Sequence, residues 1–294
     1  MRVAALCAGY GGLELGLSHM GVDTELVWVS ETDKYASAVL DARFGVPNLG
    51  DLTEITDPPQ VGAITAGFPC QPVSHAGKRA GVDDERWLIR DVVSVARGAG
   101  ARWLFLENVR GVLTANQGDA FGEVLDALAD GGFDARWACV RADQSVGACH
   151  RRDRWFCVAH ADGAGSEVWG DARRASQLKV GVEPVVSAAP AADADIEGPQ
   201  GHGEDGLPEA GGQVDPAWGD YGAAIQRWEW VIGRAAPAPV TDDKLSSRFV
   251  EWMMGLPDGW VTDIGLSRAQ ELKILGNGVV PQQAGAAYRW LLEQ

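Results

Sequence analysis

The residues 66–74 read AGFPCQPVS, and this stretch determines how the rest of the chain is interpreted. It follows an apolar run, residues 61–66, that predicts a short buried strand ending at Gly67. Cys70 stands between two prolines on the loop after that strand. Because an α/β sheet presents reactive groups at the carboxyl ends of its strands, Cys70 is a candidate nucleophile. A cysteine that is merely a small buried apolar residue in a turn is the alternative.

Composition sets broad limits on the class of protein. The 294 residues are 46% hydrophobic, enough for one large domain or two modest ones. No apolar run is long enough to cross a bilayer, and the N-terminal residues are interpreted as a strand entering a glycine loop, so a cytoplasmic protein is expected. The five cysteines lack metal-ligand or disulfide spacing, which predicts no metal site and a reducing compartment.

The net charge of −16 argues at face value against a nucleic-acid partner. However, residues 160–243 hold fifteen acidic and five basic residues, whereas the remainder holds twenty-six and twenty. That remainder includes a basic cluster, HRRDR, at residues 150–154. The local patch therefore bears on the partner more than the total charge does.

The first fifty residues show a strand, a glycine loop at residues 9–12, a helix and a second strand that ends at Glu31. A carboxylate about twenty residues after such a loop can accept hydrogen bonds from ribose hydroxyls. A plain βα turn with a solvated carboxylate is the alternative. The glycine loop at residues 9–12 lacks the G-x-G-x-x-G fingerprint, which favours a nucleoside cofactor over a dinucleotide. Asp51 could face an adenine amine or could cap the next turn.

The remaining pattern alternates strands with helices. Helices are predicted at residues 34–44, from about Trp87, at 120–130, 247–255 and 282–292, and strands at 103–106, 136–142 and 155–159. Glu107 is expected at the tip of the strand at 103–106. This order predicts an α/β fold with a doubly wound, mostly parallel sheet and antiparallel pairing near its end. Residues 160–243 are expected to be variable and loop-rich, with an ordered piece at 218–232.

Four sequence motifs occur in a meaningful order: AGYGG at residues 8–12, GFPCQ at 67–71, ENV at 107–109 and GNGVVP at 276–281. Together they resemble the DNA cytosine-5 methyltransferase family, most closely its small bacteriophage and bacterial members. The resemblance implies a Rossmann-like S-adenosylmethionine-dependent methyltransferase fold. It also implies a catalytic domain of residues 1–159 plus 270–294 and a smaller, irregular target-recognition domain of residues 160–269.

The resemblance assigns the chemistry to particular residues. Cys70 would add to carbon 6 of a cytosine flipped out of double-stranded DNA, which activates carbon 5 toward methylation. Glu107 would hold or donate a proton at ring N3. Arg152 and Arg154 match the arginines of a Gln-x-Arg-x-Arg motif and would contact the base carbonyl, a phosphate and the loop.

The resemblance also places S-adenosylmethionine, whose product is S-adenosylhomocysteine, across the first loop. Glu31 would bind the ribose and Asp51 the adenine amine. The implied cofactor pocket comprises Ala8, Gly9, Tyr10, Gly11, Gly12, Leu13, Glu31, Thr32, Asp51, Leu52, Pro69, Leu88, Asn277 and Gly278. For the apolar members, simple packing is the alternative. A monomer acting on duplex DNA in a bacterial or phage-infected cell is expected, with restriction–modification as the setting typical of such enzymes.

Three positions depart from the family pattern. Cys7 stands where an aromatic residue is usual, His150 replaces the Gln of the arginine motif, and Gly278 replaces a Ser.

Two other functions are the alternatives. A tRNA cytosine-5 methyltransferase would be expected to carry Cys-Phe-Thr, which Cys70 and the Gln71-Pro72 after it do not match. A non-catalytic DNA-binding relative would be expected to lack Cys70 or Glu107.

Overall fold

A computed structural model of the protein describes residues 1–69, 87–161 and 216–294, the last range with side chains from residue 218 onward. Cys70 and most of the variable segment, residues 162–215, therefore lie outside the described residues. None of the described helices is long and apolar enough to cross a membrane.

A six-stranded sheet forms the centre of the described chain, in the order β2-β1-β3-β4-β6-β5. Neighbouring strands from β2 to β4 are parallel, whereas β6 runs antiparallel to both β4 and β5. The predicted doubly wound, mostly parallel sheet with antiparallel pairing near its end is confirmed. The strands are β1 (Arg2–Leu6), β2 (Glu25–Ser30), β3 (Ala63–Ala66), β4 (Trp103–Val109), β5 (Phe133–Arg141) and β6 (Asp153–Ala161).

Helices cover both faces of this sheet. α2 begins where the Asp33 carboxylate accepts hydrogen bonds from the backbone N–H groups of Tyr35 and Ala36, and it ends at Gly45, whose φ is 61°. The helices are α1 (Gly12–His19), α2 (Lys34–Phe44), α3 (Ile89–Gly98), α4 (Asp119–Asp130), α5 (Ala142–Ser145), α6 (Gly222–Ile232), α7 (Ser247–Met253), α8 (Arg268–Asn277) and α9 (Pro281–Glu293). A short β-hairpin precedes α7, with strands of two residues each, β7 (Val240–Thr241) and β8 (Lys244–Leu245).

Alternate side chains of β4 show how the two layers are built. Leu104 and Leu106 pack in one core with residues of α3 and α4, such as Val92. Phe105 points to the opposite face and packs with residues of α1 and α9, such as Tyr288. Both faces of β4 are thus buried, as a central strand of a parallel sheet requires.

The β4 strand is three residues longer than predicted, because β6 continues to pair with it. Glu107 lies opposite Phe156, and Val109 lies opposite Arg154. On the other side, β3 ends with Ala66, which pairs with Leu106. Glu107 is therefore within β4, not at its tip, and stands immediately beyond the point where β3 ends.

A third buried cluster joins the C-terminal region to the sheet domain. It contains Trp228 of α6 and Trp252 of α7 together with Tyr10 from the glycine loop and Val39 of α2. Residues of the range 216–269 thus share a core with the first fifty residues. The division into two domains remains a prediction.

Candidate active site

Glu107 and Arg154 form an ion pair at the centre of the site. Arg154 Nε lies 3.1 Å from Glu107 Oε1, and the two side chains are 20% and 14% exposed. The strand register explains why the two side chains meet. Arg154 pairs with Val109, and Val109 is two residues after Glu107 on β4. Alternate residues of a strand share a face, so Arg154 and Glu107 lie on the same face of the sheet. Burial raises the pKa of Glu107, and the charges of Arg154 and Arg152 oppose that shift. The net effect is a carboxyl group that takes up a proton more readily than a free glutamate.

The segment that leads into Cys70 is fixed beside this pair. A Cβ atom on Gly67 would lie 3.6 Å from Glu107 Oε2. Asn108, which is 1% exposed, donates from Nδ2 to the carbonyl of Phe68 at 3.3 Å, and its Oδ1 accepts from the Val109 N–H at 2.8 Å. The structure therefore brings together Glu107, Arg154 and the entry to the Cys70 loop, while Cys70 itself lies beyond the described residues.

Glu31 lies at the end of β2 and connects it to the glycine loop. Its Oε2 accepts from the Gly9 N–H at 2.8 Å, and its Oε1 accepts from the Asp33 N–H at 2.8 Å. Burial raises the pKa of Glu31, partly offset by these backbone donors. Each carboxylate oxygen has further acceptor capacity, so these bonds orient Glu31 without using up its lone pairs.

Asn48 is a site residue that the sequence reasoning missed. Its Oδ1 accepts from the N–H groups of Glu31 and Gly50, each at 3.0 Å, and its Nδ2 donates to the carbonyl of Glu31 at 3.0 Å. It therefore ties the Glu31 turn to the turn that carries Asp51. A polar residue between a Pro and a Leu gave no local signal for this role.

Asp51 caps a short 3₁₀ turn (Leu52–Glu54), which was one of its two predicted roles. Its exposed carboxylate accepts from the N–H and the hydroxyl of Thr53 at 2.9 and 2.8 Å. Thr32 is exposed, Leu52 is buried and packs in the core, and Leu88 is half-buried. The adenine contact of Asp51 and the cofactor contacts of Thr32, Leu52 and Leu88 stay predictions.

Open space lies beside these loops. A Cβ atom on Gly9 or Gly50 would meet no heavy atom within 4 Å, and both glycines have a positive φ. The thiol of Cys7 is close enough to Glu31 and Asp51 for their charges to add to the effect of burial, which together raise its pKa to about 12. The two carboxylates, the glycine loop and the Cys7 thiol thus lie near one another.

Arg152 makes contacts that the motif alone did not predict. Its guanidinium donates to the carbonyl of Gly278 and, at 3.4 Å, to that of Gly276. Its backbone has a φ of 30°, and its carbonyl accepts from Gln283 Nε2 at 2.7 Å. Arg152, which directly precedes β6, therefore contacts the end of α8 and the link to α9, hereafter the α8–α9 segment (residues 276–280). Its predicted contact with the base or a phosphate is untested.

Tyr10 also contacts the α8–α9 segment. Its side chain is completely buried, and its hydroxyl donates to the carbonyl of Val279 at 2.6 Å. Its backbone carbonyl accepts from Trp260 Nε1 at 2.8 Å. Any contribution of Tyr10 to a cofactor pocket would therefore come from its backbone and its position. Asn277 is exposed and Gly278 half-buried.

His150, which replaces the Gln of the arginine motif, lies three residues before β6 and contacts the last residue of α7. Its Nε2 lies 2.9 Å from the carbonyl of Met253. Since a carbonyl only accepts, Nε2 carries the proton. Burial lowers the pKa of His150, and the Arg152 and Arg154 charges act in the same direction.

Sequence comparison identifies the family. The model of the family described as C-5 cytosine-specific DNA methylase matches residues 1–189. Type II methyltransferase M.BsuFI of Bacillus subtilis is 38% identical over 161 residues, covering 53% of this chain and 39% of the relative. M.NgoBI of Neisseria gonorrhoeae is 34% identical over 160 residues, covering 53% and 50%. This chain thus spans half or less of the length of these curated relatives.

Solved structures support the fold. Dnmt2 methyltransferase from S. pombe superposes with a TM-score of 0.64 at 14% identity, covering 100% of this chain and 98% of the other. A putative DNA modification methyltransferase encoded within an E. coli prophage gives a TM-score of 0.61 at 17% identity, with 100% of both chains covered. At these identities the two solved structures show a shared fold only. The family model, in contrast, matches more than half of the residues of this chain. The chain belongs to the C-5 cytosine-specific DNA methylase family.

Proposed function

We propose that this protein methylates carbon 5 of cytosine in double-stranded DNA at a specific short site, with S-adenosylmethionine as methyl donor. The observation that carries the proposal is the Glu107–Arg154 pair, set beside the loop that leads into Cys70. A carboxyl group that takes up a proton more readily than a free glutamate, next to a guanidinium and beside the segment that leads into Cys70, supports addition to a pyrimidine ring.

The cofactor side fits a nucleoside bearing a ribose. Glu31 presents an oriented carboxylate, the glycine loop has no side chain at Gly9, and open space lies at Gly9 and Gly50. Glu31 would hold the ribose hydroxyls, and Asp51 would face the adenine amine. When bound, S-adenosylmethionine supplies an electrophilic methyl group.

The chain's own residues prepare the base. The thiolate of Cys70 would form a bond to carbon 6, and the electrons of the 5,6 double bond would move to carbon 5 as N3 takes the proton held by Glu107. Arg154 would keep Glu107 oriented and stabilise its anion after the proton has left. Once carbon 5 is methylated, its hydrogen would leave as a proton to water and the thiolate would depart from carbon 6, which restores the 5,6 double bond, while N3 would return its proton to Glu107. The ring atoms are inaccessible within a duplex, so base flipping is part of the proposal.

The direct test is transfer of a labelled methyl group, with duplex DNA and tRNA offered in parallel. Label in duplex DNA is expected. Label in tRNA alone would replace the proposal with an RNA methyltransferase, and absence of label in every duplex would refute it. Bisulfite sequencing of DNA from cells that express the protein would then give the recognition site and show whether it is one that a restriction enzyme could share.

A trapping experiment tests the mechanism separately. With S-adenosylmethionine present, duplex DNA that carries 5-fluorocytosine at the target should form a stable covalent adduct, because after methyl transfer carbon 5 has no hydrogen to lose as a proton and the thiolate cannot be eliminated. Cys70→Ala should abolish the adduct. Cys139→Ala is a matched control, since Cys139 is a half-buried cysteine on the edge strand β5. Adduct formation by Cys70→Ala would exclude Cys70 as the nucleophile.

A further inference from the structure

We propose that Tyr10 is a positioning residue that couples the glycine loop to the α8–α9 segment, and that its ring is the reason position 278 requires glycine. The inference deepens the proposed function and rests on it, because both segments carry residues expected to hold the cofactor. It concerns a side chain with no direct access to that cofactor.

The hydroxyl of Tyr10 makes the first connection. It donates to the carbonyl of Val279 at 2.6 Å, across 269 positions of sequence and in a fully buried environment. Burial raises the pKa of Tyr10 well above its usual value, so the hydroxyl keeps its proton and remains a donor. Without it, the Val279 carbonyl would be buried with one partner fewer.

The ring makes the second connection by filling the space beside Gly278. The φ of Gly278 is −79°, which any L-residue can adopt, so its backbone conformation does not require glycine. A Cβ atom there would lie 2.6 Å from Tyr10 Cδ1 and closer still to Cε1 and Cζ. Non-bonded carbon atoms do not approach this closely, so even alanine at position 278 would displace either the Tyr10 ring or the α8–α9 segment.

The ring is bounded by glycine on a second side as well. A Cβ atom on Gly12 would lie 2.7 Å from Tyr10 Cε2 and 2.7 Å from the Val279 carbonyl oxygen. The ring is thus enclosed between Gly12, at the start of α1, and Gly278. Two glycines on separate segments accommodate one aromatic side chain.

The α8–α9 segment is held from its other side by Arg152, which donates to the carbonyls of Gly276 and Gly278. The segment therefore lies between the glycine loop and the strand that carries Arg154. Tyr10 sets its separation from the glycine loop, and so the position of Asn277 relative to Gly9. Changes at Tyr10 should consequently alter cofactor affinity more than the rate at saturating cofactor.

The test is a double-mutant cycle on Tyr10→Ala and Gly278→Ala, read out by calorimetric titration with S-adenosylhomocysteine. Each single variant should raise Kd at least about tenfold. The double variant should bind at least about fivefold more tightly than additivity predicts, because the new methyl group occupies space that the ring has left. Tyr10→Phe should raise Kd about three- to tenfold and leave kcat at saturating cofactor within about twofold. Tyr221→Phe is the matched control, since Tyr221 is 73% exposed.

Additive single effects, or an unchanged Kd in Tyr10→Phe, would overturn the inference. The same four proteins give a second cycle from their thermal midpoints, which measures the contact whether or not a cofactor binds. Wild-type protein that binds no S-adenosylhomocysteine would count against the proposed function, while coupling in the thermal cycle would still support the contact. If Tyr10→Ala does not yield folded protein, Tyr10→Phe decides.

Discussion

Glu251 holds the segment at residues 259–262, which contacts the glycine loop, and the stabilisation it gives can be estimated. Its side chain is 1% exposed, and its carboxylate accepts four hydrogen bonds from one short segment. Oε1 accepts from the N–H groups of Val261 and Thr262 at 2.5 and 3.0 Å, and Oε2 accepts from the Gly259 N–H at 2.8 Å and the Thr262 hydroxyl at 3.0 Å. This segment includes Trp260, whose indole N–H reaches the glycine loop.

The substitution that tests this is Glu251→Gln, which retains the shape of the side chain and removes its charge. In the better amide orientation, oxygen stays at the Oε1 position and nitrogen faces Gly259, while the Thr262 hydroxyl rotates to accept. The Gly259 N–H then loses its partner, at a cost of about 1–3 kcal/mol, and two charged hydrogen bonds become neutral, at about 1 kcal/mol each. The free energy of unfolding should therefore fall by about 3–5 kcal/mol.

Urea unfolding followed by tryptophan fluorescence measures this change as a lower midpoint with an unchanged m value. Thr262→Val removes one donor only and should cost less, about 1–2 kcal/mol. Glu293→Gln, at an exposed position near the C-terminus, is the matched control and should be neutral. A loss below about 1 kcal/mol for Glu251→Gln would refute the view that this carboxylate organises the segment.

Four further outcomes are expected. Glu107→Gln should lower kcat at least about 100-fold in the methyl-transfer assay with little change in S-adenosylhomocysteine affinity, since it removes a proton-holding group. Glu31→Ala should raise the Kd for S-adenosylhomocysteine at least about tenfold by calorimetry, whereas the exposed Asp41→Ala should leave it unchanged. Because the pKa of His150 is lowered in the folded state, the unfolded state takes up the proton first, so the free energy of unfolding should fall as pH drops below about 6.5; His150→Gln should reduce that slope in pH-dependent urea titrations. Binding of the protein to duplex DNA should weaken steeply with salt, and a flat slope across a salt series would contradict phosphate contacts.

The sheet was predictable because its signals are local. Short apolar runs bounded by glycine or polar residues indicated β1 to β4, and β3 and β4 begin within two residues of the predicted starts at residues 61 and 103. The extension of β4 through Val109 was not local, since it depends on pairing with β6 across more than forty residues. Its functional consequence is that Glu107 is held by a strand rather than by a flexible tip.

Helix α8 was missed because it has no apolar stripe. Only Glu271, Ile274 and Leu275 of its ten residues are buried, and its end falls within the glycine motif. The usable signal was its start, where Ser267 and Gln270 form a capping box. Side-chain roles that join distant segments, such as those of Asn48 and Tyr10, depend on the finished fold and leave no periodic pattern.

The site is completed by residues beyond the part of the chain that the family model matches. That match ends at residue 189, yet Gln283 of α9 donates to the carbonyls of Val140 and Arg152 at 2.8 and 2.7 Å. Arg152 has a φ of 30°, which is unfavourable for a non-glycine residue and persists only where surrounding contacts hold it. Gln283 is one such contact, and the carbonyls of the α8–α9 segment that receive the Arg152 guanidinium are others. The geometry next to Arg154 therefore depends on the C-terminal helix, so the N-terminal region alone does not contain a complete site.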